Sequence, residues 1–315
     1  MLIALATMMV GHATRADEYP NRRVRVIIPY TPGGSPDVLF RMVAQSLTTK
    51  WGQPVVIENR PGGNTFIGTS ALVNSPADGY TLMLTADNTF IINPLFYTSM
   101  PYAMSDLAPI TLVGTAPHMF AITKNAPATT VAEFIAWAKA RPGTIMYGTT
   151  GPAGLQRLAM ELFARIAGIK LMQVPYKGAP EAVTAVLTGE VTASINSVAT
   201  ILPHVTAGNM RTLGVASTKR VALAPNIPTI QEQGVPGFSS QGSFGLFGPA
   251  ALPDAIRDKI QGDVAEVLGQ PDIRKYLEQR GFEPHGNSAS EFRTFIASET
   301  DKWRRVIAEA NIKAE

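Results

Sequence analysis

Cysteine is absent from the 315 residues, and charged side chains make up only 16% of the chain. The lack of cysteine excludes disulfide bonds, thiolate chemistry and cysteine-based metal sites. The 27 lysines and arginines exceed the 24 aspartates and glutamates by three, and they are spread without a basic run. Because nucleic-acid-binding proteins usually concentrate basic residues on one face, nucleic acid is not an expected partner.

Long apolar runs are also lacking, except for a short one at the N-terminus. Leu2–Val10 has the length of a signal-peptide core and is too short to cross a bilayer. Small residues follow, and the chain becomes polar at Asp17. We therefore predict a signal peptide over residues 1–16, without the usual basic start, as in a truncated signal. The alternative is a buried N-terminal helix or strand.

Patterns that indicate catalysis are missing as well. The four histidines, His12, His118, His204 and His285, lie far apart, and none has metal-ligand spacing to another histidine or a carboxylate. The Gly-x-Ser-x-Gly pattern of a hydrolase nucleophile does not occur. We therefore predict no catalytic residue, no metal and no cofactor, and the chain is expected to capture a ligand rather than to convert it.

Strand-like and helix-like segments alternate along the rest of the chain, which predicts an α/β fold with parallel or mixed sheets. The predicted strands are 24–30, 55–58, 80–85, 110–113, 119–123, 144–148, 171–174, 191–195 and 211–216. The predicted helices include one after the first strand, others at 130–140, 154–167 and 179–188, and almost everything from Pro253 onwards. A chain of this length usually forms more than one core. We predict lobe one from residues 17–118 plus 243–315 and lobe two from 119–242, joined by a two-segment hinge beside a ligand cleft.

Three glycine-containing junctions between a strand and a helix carry the candidate binding residues. Backbone N–H groups at a helix start lack intrahelical acceptors and lie at the positive end of the helix dipole, so such junctions bind anions. Since ligands of open α/β sheets sit beyond the carboxyl ends of strands, the three junctions are expected to meet in the cleft. The candidates in these junctions are Tyr30, Thr31, Gly33, Gly34, Ser35, Asp37, Thr149, Thr150, Gly151, Ala153, Gly154, Tyr176 and Lys177. Asp87, after another strand, is a further candidate or else a simple helix cap.

A series of motifs runs in order from about Tyr19 to the C-terminus. The motifs are Tyr19-Pro20, Pro32-Gly33-Gly34 with Asp37, Glu58 to Gly63, Pro76 to Leu82, Val174 to Gly178, Pro228 to Ile230 and Gly234 to Phe238. In these motifs the chain resembles the Bug family, the solute-binding proteins of tripartite tricarboxylate transporters. The resemblance implies a type II periplasmic binding protein fold that closes on a small carboxylate or dicarboxylate in the periplasm. It also implies membrane permease subunits as partners; a monomer is the default.

The family pattern is not followed everywhere. Where the family often has an aspartate, this chain has Asn196, which can donate and accept hydrogen bonds and would tolerate an anionic ligand. Ser243 replaces a frequent aromatic beside Phe244, which would enlarge the pocket. Asn196 and Phe244 complete the predicted site, and the ligand stays open among aliphatic dicarboxylates, aromatic carboxylates, amino acids and neutral amides.

Two other functions fit the same clamp. The liganded protein could dock onto a membrane receptor of a signalling system, as a sensor, and the sequence has no motif that separates this function from transport. An enzyme that uses Asp37 or Lys177 is the third alternative. The leading hypothesis is a transport receptor.

Overall fold

Helices and strands alternate in the computed structural model, which describes residues 19–150, 154–176, 178–310 and 312. The strands are β1 (Val24–Ile28), β2 (Val55–Asn59), β3 (Thr81–Ala86), β4 (Leu107–Thr123), β5 (Met146–Thr150), β6 (Met172–Tyr176), β7 (Ala193–Ser197), β8 (Met210–Val215), β9 (Gln241–Pro249) and β10 (Glu283–Pro284). The helices are α1 (Ser35–Trp51), α2 (Phe66–Val73), α3 (Asn93–Phe96), α4 (Val131–Ala140), α5 (Leu155–Ala167), α6 (Ala179–Thr188), α7 (Val198–Thr206), α8 (Asp254–Gly269), α9 (Pro271–Glu278) and α10 (Ala289–Glu309). The predicted signal peptide lies outside the described residues.

The strands form one mixed sheet with the order β2-β1-β3-β9-β4-β7-β5-β6, and β8 and β10 also pair with β4. In lobe one, β1 runs parallel to β2 and β3, and β9 is antiparallel to β3. In lobe two, β5 runs parallel to β6 and β7, while β7 and β8 are antiparallel to β4. The sheet is therefore mixed, as predicted, and its two halves make a two-lobed α/β fold.

Strand β4 passes from one half of the sheet to the other. Its residues Leu107–Pro117 pair with β9, and His118–Thr123 pair with β7 and β8. The segments predicted as strands at 110–113 and 119–123 are both β-strand, but their separation is wrong, because they are parts of this one strand. Gly114 and Pro117 break the apolar run in the sequence, whereas the strand continues through them with register shifts against β9.

Strand β9 was not predicted, although it lies beside β4 at the centre of the sheet. It contains Gly242, Gly245 and Gly248, and glycine is unfavourable in strands. A methyl group on Gly245 would lie 2.3 Å from the Phe292 ring of α10. The glycine is there because α10 packs directly onto this strand.

Three clusters of buried apolar residues hold the fold together. One lies between the lobe-one sheet and helices α1 and α8, and another lies against α6, α7 and β8 in lobe two. The third extends through both lobes, since it contains Met83 of β3, Phe163 of α5 and Trp303 of α10. Helix α10 also forms an ion pair with α5, between Glu309 and Arg165. The C-terminal helix thus belongs to the cores of both lobes.

Among the described residues, no helix combines the length and the apolar character that are needed to cross a membrane.

Candidate functional site

The loop between β1 and α1 is organised by Asp37, which is almost completely buried. Its Oδ2 accepts hydrogen bonds from the Gly33 N–H at 3.0 Å and from Arg41 Nε at 2.7 Å. Its Oδ1 accepts from Arg41 Nη2 at 2.9 Å and from Asn59 Nδ2 at 3.1 Å. Four donors therefore engage this carboxylate within the protein, and Asp37 shapes the loop from beneath.

Charge balance at Asp37 favours the ionised form. Burial by itself would raise the pKa of Asp37, but the hydrogen bonds from Arg41, Gly33 and Asn59, together with the charge of Arg41, hold this pKa below its ordinary value. The carboxylate is thus a fixed anion at neutral pH, and Arg41 neutralises it.

The two glycines of this loop use their N–H groups internally. The Gly33 N–H donates to Asp37, and the Gly34 N–H donates to the carbonyl of Thr31 at 3.3 Å. Gly33 has a φ of 80°, a left-handed conformation that glycine adopts without strain. The first intrahelical bond of α1 is from Val38 to Gly34, so the helix start leaves the N–H of Ser35 without an intrahelical acceptor. The exposed residues of this loop are Thr31, Pro32, Gly33 and Ser35.

The corresponding junction of lobe two runs from β5 into α5. Thr149 is buried and accepts a hydrogen bond from Gln173 Nε2 at 2.9 Å, and Thr150 Oγ1 donates to Gln156 Oε1 at 2.8 Å. Gly154 caps α5, and its carbonyl accepts from Leu158 N at 3.1 Å. The predicted ligand residues Gly151 and Ala153 lie outside the described residues.

At the third predicted junction, the Tyr176 hydroxyl donates to Glu190 Oε1 at 2.8 Å. The ring lies over Gly148, where an added Cβ would be 3.2 Å from it. Burial, and then the bond to Glu190, raise the pKa of Tyr176 to about 12. The hydroxyl thus interacts within lobe two, and a ligand contact by Tyr176 stays a prediction. Lys177 lies outside the described residues.

A pocket of about 290 Å³ joins the two lobes at the β1–α1 loop. Gly33, Ser35 and Val38 line it from lobe one, and the first turn of α7 lines it from lobe two. The segment after α9 closes one side. The remaining lining residues are Ala116, Ser197, Ala199, Thr200, Arg280, Gly281 and Phe282. Of the predicted site residues that the structure describes, Gly33 and Ser35 are the two that line this pocket.

Sequence reasoning missed the α7 side of the pocket. The Ser197 side chain caps α7, and its Oγ lies 2.7 Å from Thr200 Oγ1. The available signal was Asn196-Ser197 at the carboxyl end of β7, directly before α7; this strand–helix junction lacks the glycine that marks the other three. Helix α7 was overlooked because it is short and contains Pro203. Asn196 itself is buried, with its Nδ2 3.4 Å from Ser194 Oγ.

A second group of polar residues is buried where β4 and β9 pass between the lobes. Asp87 Oδ2 accepts from the backbone N–H of Ser243 at 2.8 Å, and His118 Nδ1 lies 2.8 Å from Ser240 Oγ. A methyl group on Gly242 would be 3.9 Å from both Asp87 Oδ2 and His118 Nε2. His118 is isolated in the sequence, but in the fold it approaches the same glycine, Gly242, as Asp87 does.

The pKa values of Asp87 and His118 are both far from their ordinary values. Burial raises the pKa of Asp87 to about 7; the bonds from Ser243 oppose the rise, and the charge of Glu299 adds to it. Burial, followed by the charge of Lys302, lowers the pKa of His118 to about 4. At neutral pH the imidazole is therefore neutral, and Asp87 is near its midpoint of titration.

Hydroxyl groups continue this polar layer within lobe one. Thr89 Oγ1 donates to Thr65 Oγ1 at 2.8 Å, and Tyr102 OH donates to the Thr89 carbonyl at 2.7 Å. The Tyr30 hydroxyl is buried near Thr85 and Thr89, and within the described part of the chain it has no partner in hydrogen-bonding geometry. Burial raises the pKa of Tyr30, so the phenol stays protonated. Phe244, another predicted site residue, packs edge-on against Phe282 in the lobe-one core. Its ligand contact stays a prediction.

No cluster of three metal-binding side chains occurs in residues 19–150, 154–176, 178–310 and 312.

Known proteins are similar to this chain over almost its whole length. The family described as "Tripartite tricarboxylate transporter family receptor" matches residues 39–312. Protein BugT of Bordetella pertussis is 33% identical over 313 residues, which cover 99% of this chain and 96% of BugT. An R. palustris protein solved with adipate has a TM-score of 0.83 and 32% identity, and the match covers 94% of this chain and 99% of that one. The periplasmic binding protein BugD has a TM-score of 0.78 and 25% identity, and the match covers 94% of this chain and 100% of BugD.

The fold and the interlobe pocket define a solute-binding protein with the type II periplasmic binding fold. The chain belongs to the Bug family, the receptors of tripartite tricarboxylate transporters. It is a binding protein and not an enzyme.

Proposed function

We propose that this protein is exported to the periplasm, captures a small carboxylate or dicarboxylate between its lobes, and delivers it to the permease subunits of a tripartite tricarboxylate transporter. The observation that carries the proposal is the interlobe pocket of about 290 Å³, which the starts of α1 and α7 line from opposite lobes. Lobe one comprises residues 17–118 and 243–315, and lobe two comprises 119–242. The functional unit is a monomer.

The charges around the pocket suit an anion. Each helix start carries a partial positive charge equivalent to about half an elementary charge, from N–H groups without intrahelical acceptors. Arg280 is the charged side chain among the described residues that line the pocket, and none of those residues is acidic. Ser35, Ser197 and Thr200 add hydroxyl groups. A carboxylate in this position gains neutral donors and one cation without meeting a like charge.

The relative solved with adipate supports an aliphatic dicarboxylate as the ligand class. The proposed ligand contacts are those of the predicted junctions, together with the start of α7 and Arg280. Asp87 and Tyr30, which belong to the buried polar layer, are the proposed acceptors for a hydrogen-bond donor of the ligand.

A titration of the purified protein with adipate tests this function, with the neutral diamide of adipate as the matched control. A ligand that binds only the folded state stabilises it by about 2.7 kcal/mol at a hundredfold excess over Kd, which thermal unfolding detects readily. We expect a shift with adipate or a shorter dicarboxylate and none with the diamide. A protein that native mass spectrometry shows to be empty, and that no aliphatic or aromatic carboxylate stabilises, would contradict carboxylate capture.

The variant Arg280→Gln tests whether the positive charge of Arg280 contributes to ligand binding. We expect it to weaken adipate binding about two- to fivefold, the range for one solvent-exposed charge interaction. Arg274→Gln is the control, because Arg274 is a nearby exposed cation that lines a different cavity and pairs with Glu278 at 3.7 Å. Equal losses in the two variants would indicate a general effect of net charge, in contradiction to a local role of Arg280.

A further inference from the structure

A close contact between the lobes lies at one edge of the ligand pocket. Gly281, in the turn between α9 and β10, is buried against Ala199 in the first turn of α7. A methyl group on Gly281 would lie 2.9 Å from Ala199 Cβ and 3.4 Å from both Ala199 N and Leu223 Cδ2. A separation of 2.9 Å is below any normal contact between carbon atoms, so the surfaces touch where Gly281 has only hydrogen.

The two sides of this contact belong to different hydrophobic clusters. Leu277 and Phe282, on either side of the glycine turn, are buried with α1 and α8 of lobe one. Val198 and Ile201, around Ala199, are buried with α6 and β8 of lobe two. The contact therefore joins elements that are anchored in separate cores, and it must change when the lobes move relative to each other.

The contact lies close to the strand that connects the lobes. Glu283, two residues after Gly281, pairs with Thr115 of β4, and Ser197, two residues before Ala199, pairs with His118 of the same strand. Thr115 and His118 are three residues apart, which is about 10 Å along a strand. Because the contact is near the hinge, a small separation there becomes a larger one at the outer edge of the cleft.

The position of the contact between Gly281 and Ala199 determines whether added volume opens or narrows the ligand pocket. Ala199 and Gly281 line the pocket that also contains Gly33 and Ser35. Gly281 and Leu223 line a second cavity, of about 450 Å³, on the other side. An added Cβ at residue 281 cannot escape into either space, since its position is set by the backbone and not by a rotamer. Extra volume at this contact thus separates the pocket walls and opposes closure.

We propose that Gly281 and Ala199 form a closure stop, a steric contact whose size sets how far the lobes close and hence how tightly the ligand is held. The inference rests on the proposed function for its effect on affinity, but the effect on lobe closure does not depend on the ligand. Both residues act through the geometry of the cleft and are positioning residues.

Variants on both sides of the closure stop test this proposal. Gly281→Ala and Ala199→Leu add volume from lobe one and from lobe two. Gly208→Ala is the matched control, because Gly208 has a similar left-handed φ of 71° but no atom within 4 Å of an added Cβ. It therefore reproduces the backbone strain of Gly281→Ala, where φ is 78°, without the steric clash.

We expect both stop variants to raise the Kd for adipate about tenfold, as occurs when the population able to close falls to a tenth. Small-angle scattering of the ligand-free proteins should show a larger radius of gyration for both variants than for the wild type and Gly208→Ala. Folded stop variants with wild-type radius of gyration and wild-type affinity would overturn the proposal. So would an equal loss of affinity in Gly208→Ala.

A cross-link provides a measurement that needs no ligand. The natural chain has no cysteine, so the double variant Gly281→Cys with Ala199→Cys contains a single pair of thiols. A disulfide needs its two Cβ atoms about 3.5–4.5 Å apart, so the small separation that an added Cβ imposes on the 2.9 Å contact brings the thiols into bonding range. We expect this pair to form a disulfide under mild oxidation and to prevent any change in radius of gyration on addition of adipate. A folded double variant that stays reduced would overturn the closure stop. If wild-type protein binds no carboxylate but the disulfide forms and Gly281→Ala expands the molecule, the proposed ligand is wrong and the closure stop stands.

Discussion

Single residues in this protein are often defined by partners that are remote in the sequence. Asp87 is held by the backbone of Ser243, and His118 of β4 approaches the same glycine, Gly242. Tyr30 has its hydroxyl buried beside Thr85 and Thr89. Each of these groups is removed from water, which is why burial is the largest cause of every pKa shift in this layer.

Asp87 makes stability depend on pH. Its pKa is raised from an ordinary value near 4 to about 7 in the folded state. Between these values the folded protein binds more protons than the unfolded chain, so the free energy of unfolding falls as pH rises from 4 to 7. Above pH 7 the contribution of Asp87 to stability is constant. We expect ligand-free Asp87→Asn to be more stable than the wild type at pH 8, with the difference disappearing towards pH 4.

Urea unfolding at several pH values measures this difference. The control is Asp254→Asn, since the Asp254 side chain is 82% exposed and pairs with Arg257 at the protein surface. An Asp87→Asn variant that is less stable at pH 8 than the wild type would show that the charged form is stabilised in the fold, contrary to the prediction. At pH 4, protonated Asp87 and the asparagine should be equivalent.

The elements follow local sequence patterns except where tertiary packing dictates the residue. Helix α6 was predicted at 179–188, where the structure has it, and α4 and α5 begin one residue later than predicted. Their apolar spacing is the signature of an amphipathic helix. Strand β9 lacks a comparable signal, because Gly245 is required by the ring of Phe292 and not by any local pattern.

Substitution at Gly245 tests this packing. A methyl group there would meet the Phe292 ring at 2.3 Å and the Phe247 ring at 2.8 Å, both in the core. We expect Gly245→Ala to destabilise the protein by about 1–3 kcal/mol through overpacking, as measured by urea unfolding. In a double-mutant cycle, Phe292→Leu should reduce the penalty of Gly245→Ala, since the smaller side chain leaves room for the methyl group.

Gly262 is the matched control for this substitution. It lies in α8 with no atom within 4 Å of an added Cβ, and alanine is the better helix former there. Gly262→Ala should therefore stabilise the protein by about 0.8–1 kcal/mol. A penalty for Gly245→Ala that Phe292→Leu leaves unchanged would indicate backbone strain in β9 instead of a clash with the ring.

At the scale of the whole molecule, the lobes are joined by more than a flexible hinge. Strand β4 runs through both halves of the sheet, and α10 packs into a core that both lobes share. Trp303 of α10 is 1% exposed, and its indole N–H donates to Glu299 at 3.0 Å. If the lobes close on a ligand as proposed, β4 and β9 bend while this shared core stays packed.

This shared core predicts a single cooperative unfolding transition for the two lobes. Trp303→Ala should lower stability by about 3–5 kcal/mol, the usual loss for a large aromatic removed from a core. Calorimetry should show one transition in the wild type, with equal calorimetric and van't Hoff enthalpies. Two separated transitions in the wild type would contradict the coupling. Arg304→Ala, a substitution of the exposed residue next to Trp303, is the control and should leave the melting temperature nearly unchanged.

The sequence by itself determined the alternating elements, the family, and the loops at the ends of β1 and β5. These features depend on local spacing, since apolar periodicity and glycine at a strand–helix junction are visible within a few residues. It also indicated that the chain passes between lobes near residues 118 and 243, close to His118 in β4 and Gly242 in β9. The lobe boundaries themselves stay a prediction.

Only the tertiary structure decided which loops meet. The pocket joins Ser35 to the unpredicted start of α7, and Gly281 meets Ala199 across the two lobes. The same holds for Asp87 and His118, which both approach Gly242 from separate segments. No local pattern encodes such pairs, because contact between distant segments depends on strand order and on how helices pack over the sheet. Close packing then fixes the size of each residue at the contact, and that size becomes interpretable only when both partners are known.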